Sequence, residues 1–152
     1  MSTSILDRLQ ADMTAAMKSK DADTLSTLRM LKTAIMEAKT KKPKDAALSA
    51  EEEIEILQRY VKKRRETIEE LKRVGRAETL SREEQEIAVT QRYLPQLISE
   101  DELKTVIRDA IAKTGAATAK DMGKVIGAVM AQVKGHAEGG TVSRLVKEAL
   151  SG

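Results

Sequence analysis

From Ile5 to Leu150 the apolar residues of this chain recur three and four positions apart, and nowhere do they alternate with period two over a strand's length. Spacings of three and four put side chains on one stripe of an α-helix, whereas a half-buried strand needs every second residue apolar. The chain is therefore read as all-α, each helix offering one stripe to a shared core. The first stripe is Ile5, Leu9, Met13, Ala16 and Met17, behind Ser4 as N-cap. After a polar break from Ser19 to Asp23 comes a second, Leu25, Leu28, Leu31, Ile35 and Ala38, and Lys39 to Lys44, closed by Pro43, reads as a loop.

Ser49 and Glu52 form a capping box that opens the longest helix, whose stripe Ile54, Leu57, Val61, Ile68 and Leu71 stops at Gly75. About 25 residues would span roughly 37 Å. Arg64 or Arg65 interrupts the stripe between Val61 and Ile68, which predicts that one end projects beyond its neighbours. Ser81 with Glu84 repeats the capping box, and Leu80, Ile87, Gln91 and Leu94 carry a fourth helix up to Pro95, which disfavours helix in the residue before it. A third box, Ser99 with Glu102, opens Leu103, Val106, Ile107, Ala110 and Ile111, ended by Gly115. Two short helices follow: Thr118 with Asp121 starts Met122, Val125, Ile126, Val129, Met130 and Val133, stopped by Gly135. Gly140 or Thr141 then starts Val142, Leu145, Val146, Ala149 and Leu150. The expected organisation is a bundle of about four helices, one of them long, over residues 1–98, and a three-helix tail domain over residues 99–152.

The 152 residues include no Cys, Phe or Trp, one His and two Tyr. Without thiols there is no disulfide framework, thiolate metal site or thiol nucleophile, and a reducing cytoplasm is the simplest location. Without Phe or Trp, the aromatic platforms on which many single-strand binders stack bases cannot be built. Asp7, Arg8 and Asp12 interrupt the N-terminal apolar pattern in a way a secretory signal would not tolerate, so no export is expected. The longest apolar stretch, Val125 to Ala131, falls far short of the roughly 20 residues that cross a bilayer, so no membrane is expected. A net charge of +3 on 34% charged residues is too weak a bias to name a partner.

Reactive constellations are scarce. His136 lies in a glycine-rich turn with no second imidazole or thiol to share a metal or triad, and reads as an exposed turn residue. The glutamates at 51–55 and 83–86 suit the positive ends of helix dipoles, and Glu66 and Glu69 stand three or four residues from basic partners. No Glu-x-x-His pair is present for a carboxylate-bridged metal centre. No catalytic residue, metal or cofactor is expected.

Two groups of residues read as binding candidates. Gly123 and Gly127 sit inside an amphipathic helix, each at about 1 kcal/mol relative to Ala, so something is expected to pack or dock along a smooth strip that continues to Met130. Around it the tail places Lys120, Lys124, Lys134, Gly135, Arg144 and Lys147 near helix ends and a glycine turn, an arrangement suited to a phosphate backbone. The long helix adds Lys62, Lys63, Arg64 and Arg65. The plainer reading of either basic group is a solvated face.

The stretch from Asp121 to Met130, then Gly135, His136 and Ala137, then Val142, Leu145, Val146 and Leu150, resembles the tail domain shared by YqeY-type proteins and the B subunit of the tRNA-dependent amidotransferase. Ser4 to Leu9, Leu25 to Lys32, Lys62 to Glu66 and Tyr93 to Pro95 are similar to the YqeY pattern along the rest of the chain. The resemblance implies a helical domain followed by a three-helix tail, with no established enzymatic activity for the stand-alone protein. In the amidotransferase the corresponding tail contacts tRNA while catalysis belongs to a separate large domain. A carbon–nitrogen ligase label with glutamine as amido-N-donor would rest on the tail alone. The expectation is an adaptor that binds tRNA or another structured RNA through its tail, and a protein of the translation or aminoacyl-tRNA system through its helical domain. A protein-interaction module without nucleic acid is the alternative, and an amidotransferase-like enzyme the third.

Overall fold

Residues 3–44 and 46–151 are described by the structure, a computed structural model. Among them seven α-helices form and no strand: α1 Ile5–Lys18, α2 Ala22–Thr40, α3 Ala50–Arg73, α4 Leu80–Gln91, α5 Glu100–Thr114, α6 Met122–Val133 and α7 Gly139–Ser151. Short 3₁₀ turns, Ala77–Thr79 and Ala119–Asp121, precede α4 and α6. The helices divide into two compact units, Met1–Leu94 and Pro95–Gly152.

Local capping sets most helix starts. Ser4 Oγ accepts from the Asp7 N–H at 3.1 Å, Asp21 from Thr24 at 3.2 Å, and Ser99 Oγ from Glu102 at 3.1 Å. At α3 the capping box is complete: Ser49 Oγ accepts from the Glu52 N–H and the Glu52 carboxylate accepts from the Ser49 N–H, each at 3.1 Å. Lys42 then bonds the same carboxylate at 2.5 Å and ties the preceding loop to the helix start. At the other ends, Gly75 and Gly115 adopt φ of +77° and +70°, the left-handed region that stops a helix without a Cβ clash.

In the first unit α2 packs against α1, α3 and α4, and α3 packs against α4. Leu9, Leu28, Leu31, Ile35 and Leu57 are fully buried with Val89 and Tyr93 beside them, and Val61, Ile68 and Ile87 form a second cluster further along α3. Two polar residues stand in this apolar environment. Glu53, 4% exposed, accepts from the main-chain N–H groups of Leu6 at 3.0 Å and Ile5 at 3.3 Å, so α3 supplies a carboxylate to the positive end of α1. Arg64 fills the interruption in the α3 stripe: its guanidinium stacks 5.1 Å over the Tyr60 ring and stands 3.5 Å from both Glu83 and Glu86 of α4. Tyr60 in turn reaches Glu86 at 3.4 Å, and burial together with the Glu86 charge pushes its phenol up to about 12.

The structure corrects four expectations. The arginine in the α3 stripe does not mark a projecting end, because Ile68 beyond it is buried against Ile87 and the cation is matched by α4 carboxylates. The Ser81–Glu84 capping box does not form: the 3₁₀ turn after Gly75 starts α4 at Leu80, so Ser81 is already inside the helix. Helix α4 ends at Gln91, and Tyr93 and Leu94 belong to a following turn closed by bonds to Thr90 and Gln91 carbonyls. Met17 is also 58% exposed, outside the stripe assigned to it.

The second unit is a trio of helices with an entirely aliphatic core of Leu103, Ile107, Val125, Val129, Val142, Leu145 and Val146, with alanines at its edge. In the first unit, removing the Glu53 carboxylate would leave two sequestered N–H groups at the start of α1 without their acceptor. Glu53→Ala is therefore expected to lower unfolding free energy by about 2 kcal/mol, and Glu53→Gln by less because one acceptor oxygen remains. Denaturant titration followed by circular dichroism measures both.

Candidate functional site

The basic residues of the tail are positioned by the turn that launches α6. The Asp121 carboxylate accepts from the Ala117 N–H at 3.0 Å and the Thr118 N–H at 3.4 Å, closing the chain into the 3₁₀ turn. Those two bonds, the first being the larger influence, hold Asp121 below its ordinary value, with Lys124 adding a smaller pull. Lys120 and Lys124 consequently flank the start of α6 four residues apart, on neighbouring turns and both exposed.

Between them and beyond them runs the glycine strip. Gly123 and Gly127 are exposed, and a Cβ built on either would meet no heavy atom within 4 Å. Of the two expected uses of this strip, packing or docking, packing within the fold is not seen among the described residues: the glycines face open space. Ala131 is exposed one turn on, at the same spacing, which extends the low-relief strip along α6. Met130 turns the other way and packs, half-buried, against the tail core.

The other candidates lie elsewhere. Lys134 and Gly135 form the left-handed turn after α6, with φ of +27° and +85°, at the far end of a 12-residue helix and so about 18 Å from its start. Lys147 is exposed on α7, which returns along α6 and packs against the 3₁₀ turn that precedes it. Arg144 is held between Glu100 and Glu148, the latter at 3.3 Å, so much of its charge is answered within the fold. In the first unit Lys62 and Lys63 are exposed, as is Arg65, whereas Arg64 turns inward to Glu83 and Glu86. The structure thus brings together Lys120, Gly123, Lys124 and Gly127, and separates them from Lys134 and Gly135.

His136 has a role that its sequence position did not announce. Its Nδ1 lies 2.7 Å from the Gln96 carbonyl oxygen, which can only accept, so Nδ1 carries the proton. Its own carbonyl accepts from the Ile98 N–H at 2.9 Å. Together the two bonds pin residues 96–98 to the α6–α7 turn. The buried carboxylate of Glu53 and the inward pairing of Arg64 are likewise missed by the sequence reading, although the signal is present: residues 53, 57, 61, 64 and 68 form one helical stripe, and a charge on such a stripe needs a partner on a facing helix.

Among the described residues no group of three or more His, Cys, Asp or Glu side chains is placed to hold a metal ion, and no helix is long and apolar enough to cross a membrane. Fold and surface together define an all-α protein of two helical units whose second unit displays a small-residue strip bordered by lysines. The chain belongs to the YqeY family: it matches the family described as Yqey-like protein over residues 6–150, which takes in both units. It is also similar to "Altered inheritance of mitochondria protein 41, mitochondrial" of Pyrenophora tritici-repentis (strain Pt-1C-BFP), with 31% identity over 152 residues, covering 96% of this chain and 81% of that protein.

Two outcomes follow from this geometry. With no neighbour to clash and better helix propensity, Gly127→Ala should raise unfolding free energy by about 1 kcal/mol, and Gly123→Ala, in the first turn, by less; thermal melts measure the gain. Because Asp121 is held below its ordinary value of 3.8, its contribution is present above that pH and is lost as pH falls through the lowered folded value. The melting temperature of Asp121→Ala should lie below that of the parent at pH 7, and the two curves should converge in acid.

Proposed function

We propose that this protein is a non-catalytic accessory factor that binds tRNA or another structured RNA through the phosphates, using the start of α6. The observation that carries the reading is the exposed strip of Gly123 and Gly127 running beside Lys120 and Lys124 at the start of α6. Glycines destabilise a helix interior, and these two fit no neighbouring helix of their own fold, so their smooth surface suits close approach of an external backbone. Flanking ammonium groups supply the charge that phosphates need, without base-specific readout. Lys134 and Lys147 extend the basic surface along the tail, and Arg144, already paired, contributes less. The resemblance of this tail to that of the amidotransferase B subunit supports the choice of RNA, and the helical first unit is assigned to a protein of the translation or aminoacyl-tRNA system. This reading gives the chain no carbon–nitrogen ligase step of its own and places it in the cytoplasm.

A second reading is supported by the same strip: small residues at 123, 127 and 131 also suit a partner helix, with no nucleic acid involved. Filter binding against bulk tRNA at several salt concentrations separates the two. Under the RNA reading affinity falls steeply with salt, and reversing Lys124, Lys134 and Lys147 together to Glu weakens binding and lowers the slope by roughly one for each phosphate that is no longer neutralised. Binding absent even at low salt rejects it.

A further inference from the structure

The first unit carries a feature that neither of its polar anchors uses. Helices α1 and α2 are joined by only three residues and so run antiparallel, and an open groove of about 510 Å³ lies along them. Its apolar lining is Met13 of α1 and Met36 of α2, and Met17, one turn beyond Met13 and outside the lining, is exposed as well. Thr33 and Thr40 also line it, but their hydroxyls donate to the carbonyls of Arg29 at 2.9 Å and Glu37 at 2.6 Å. With their polar groups engaged by their own helix, the threonines add little hydrogen-bonding demand to the groove, and the lining is more apolar than the residue names suggest. Met side chains suit such a place, because an unbranched thioether adapts to whatever ridge is laid against it.

The rim is charged and unanswered. Arg29 and Lys32 line one end, and neither side chain makes an ion pair or hydrogen bond with a described residue. Glu37, two turns along from Arg29, is the one carboxylate in the lining. From Arg29 to Thr40 the lining spans about three helical turns, roughly 16 Å, a length that matches a short docked helix.

We propose that this groove receives an amphipathic helix of a partner protein, its apolar ridge seated on Met13 and Met36 and acidic side chains set against Arg29 and Lys32. The inference rests on the part of the functional reading that assigns a protein partner to the first unit, and is independent of RNA binding by the tail. Charge complementarity selects the occupant: a basic helix would bring like charges onto two unpaired cations, and an uncharged one would leave them unmatched.

The test uses the full chain with ¹³C-labelled methionine methyls, titrated with an 18-residue designed helical peptide bearing a leucine ridge flanked by glutamates, and with its counterpart flanked by lysines. The expected result is that the Met13, Met17 and Met36 methyl signals move with the acidic peptide, that the basic peptide binds at least about tenfold more weakly, and that Arg29→Glu with Lys32→Glu reverses the preference. Arg29 is exposed and Lys32 only half-buried, so the double variant is expected to fold, which its melting curve checks. Equal affinity for the two peptides, shifts confined to other methionines, or no binding of either overturns the proposal. The arms remain separable from the tail: tRNA added alone leaves these three methyls unmoved, and Lys124→Glu, Lys134→Glu, Lys147→Glu keeps peptide binding. Loss of tRNA binding in that triple variant with peptide binding retained bears on the RNA reading only, and peptide failure with tRNA binding intact sinks the groove alone.

Discussion

The carboxylate of Glu53, set within hydrogen-bond distance of the first N–H groups of α1, fixes how the N-terminal helices assemble. Apolar stripes are nearly interchangeable: Leu on Leu packs in many registers at similar energy. A buried carboxylate is not interchangeable, since only a helix start offers it several unpaired donors and a favourable dipole. Eleven positions further along the same stripe Arg64 imposes the corresponding condition at α4, where Glu83 and Glu86 answer it. The long helix therefore carries two charges of opposite sign, each paired with a different neighbour, and sliding either neighbour by one turn would separate the pair. The apolar clusters supply the bulk of the stabilisation between these anchors, and the anchors select one packing among several.

The tail is organised on the opposite principle. Its core is aliphatic throughout, small branched side chains from three short helices, and its polar groups are spent on turns rather than on the interior. Asp121 closes the entry to α6, His136 ties the entering segment to the α6–α7 turn, and Gly135 makes that turn possible. Val125, Val129 and Val133 are buried and Met122, Ile126 and Met130 pack half-buried beside them, whereas Gly123, Lys124, Gly127 and Ala131 stay exposed, so that outer side of α6 is released from structural duty. What occupies it, two glycines and an alanine beside lysines, is a poor choice for helix stability and a good one for contact with something extended and negatively charged.

Much of this is legible from local chemistry. Ser4, Ser49 and Ser99 cap helices where their spacing places them, because a cap depends on four consecutive residues and nothing distant. Gly75, Gly115 and Gly135 take positive φ for the same reason. The Ser81 box fails because an upstream 3₁₀ turn shifts the start of α4, and a motif of four residues cannot register what the preceding turn does. Period alone places Met17 in a stripe, although the last turn of α1 leaves it uncovered. Among the binding candidates, residue type identifies the lysines and glycines but cannot distinguish Arg144 and Arg64 from the rest: both look like free cations in sequence and are ion-paired in space. Pairing across 44 residues, as between Arg144 and Glu100, is a product of the fold.

The central claim is that the tail meets RNA at the start of α6 and that the first unit does not. Lysine-reactivity footprinting addresses it directly, by modifying the intact protein with an acylating reagent with and without tRNA and quantifying each lysine by mass spectrometry. The account predicts protection of Lys120 and Lys124, with Lys62 and Lys63 unchanged. Protection confined to Lys62 and Lys63, or uniform reactivity across all lysines at a tRNA concentration that saturates binding, would contradict it.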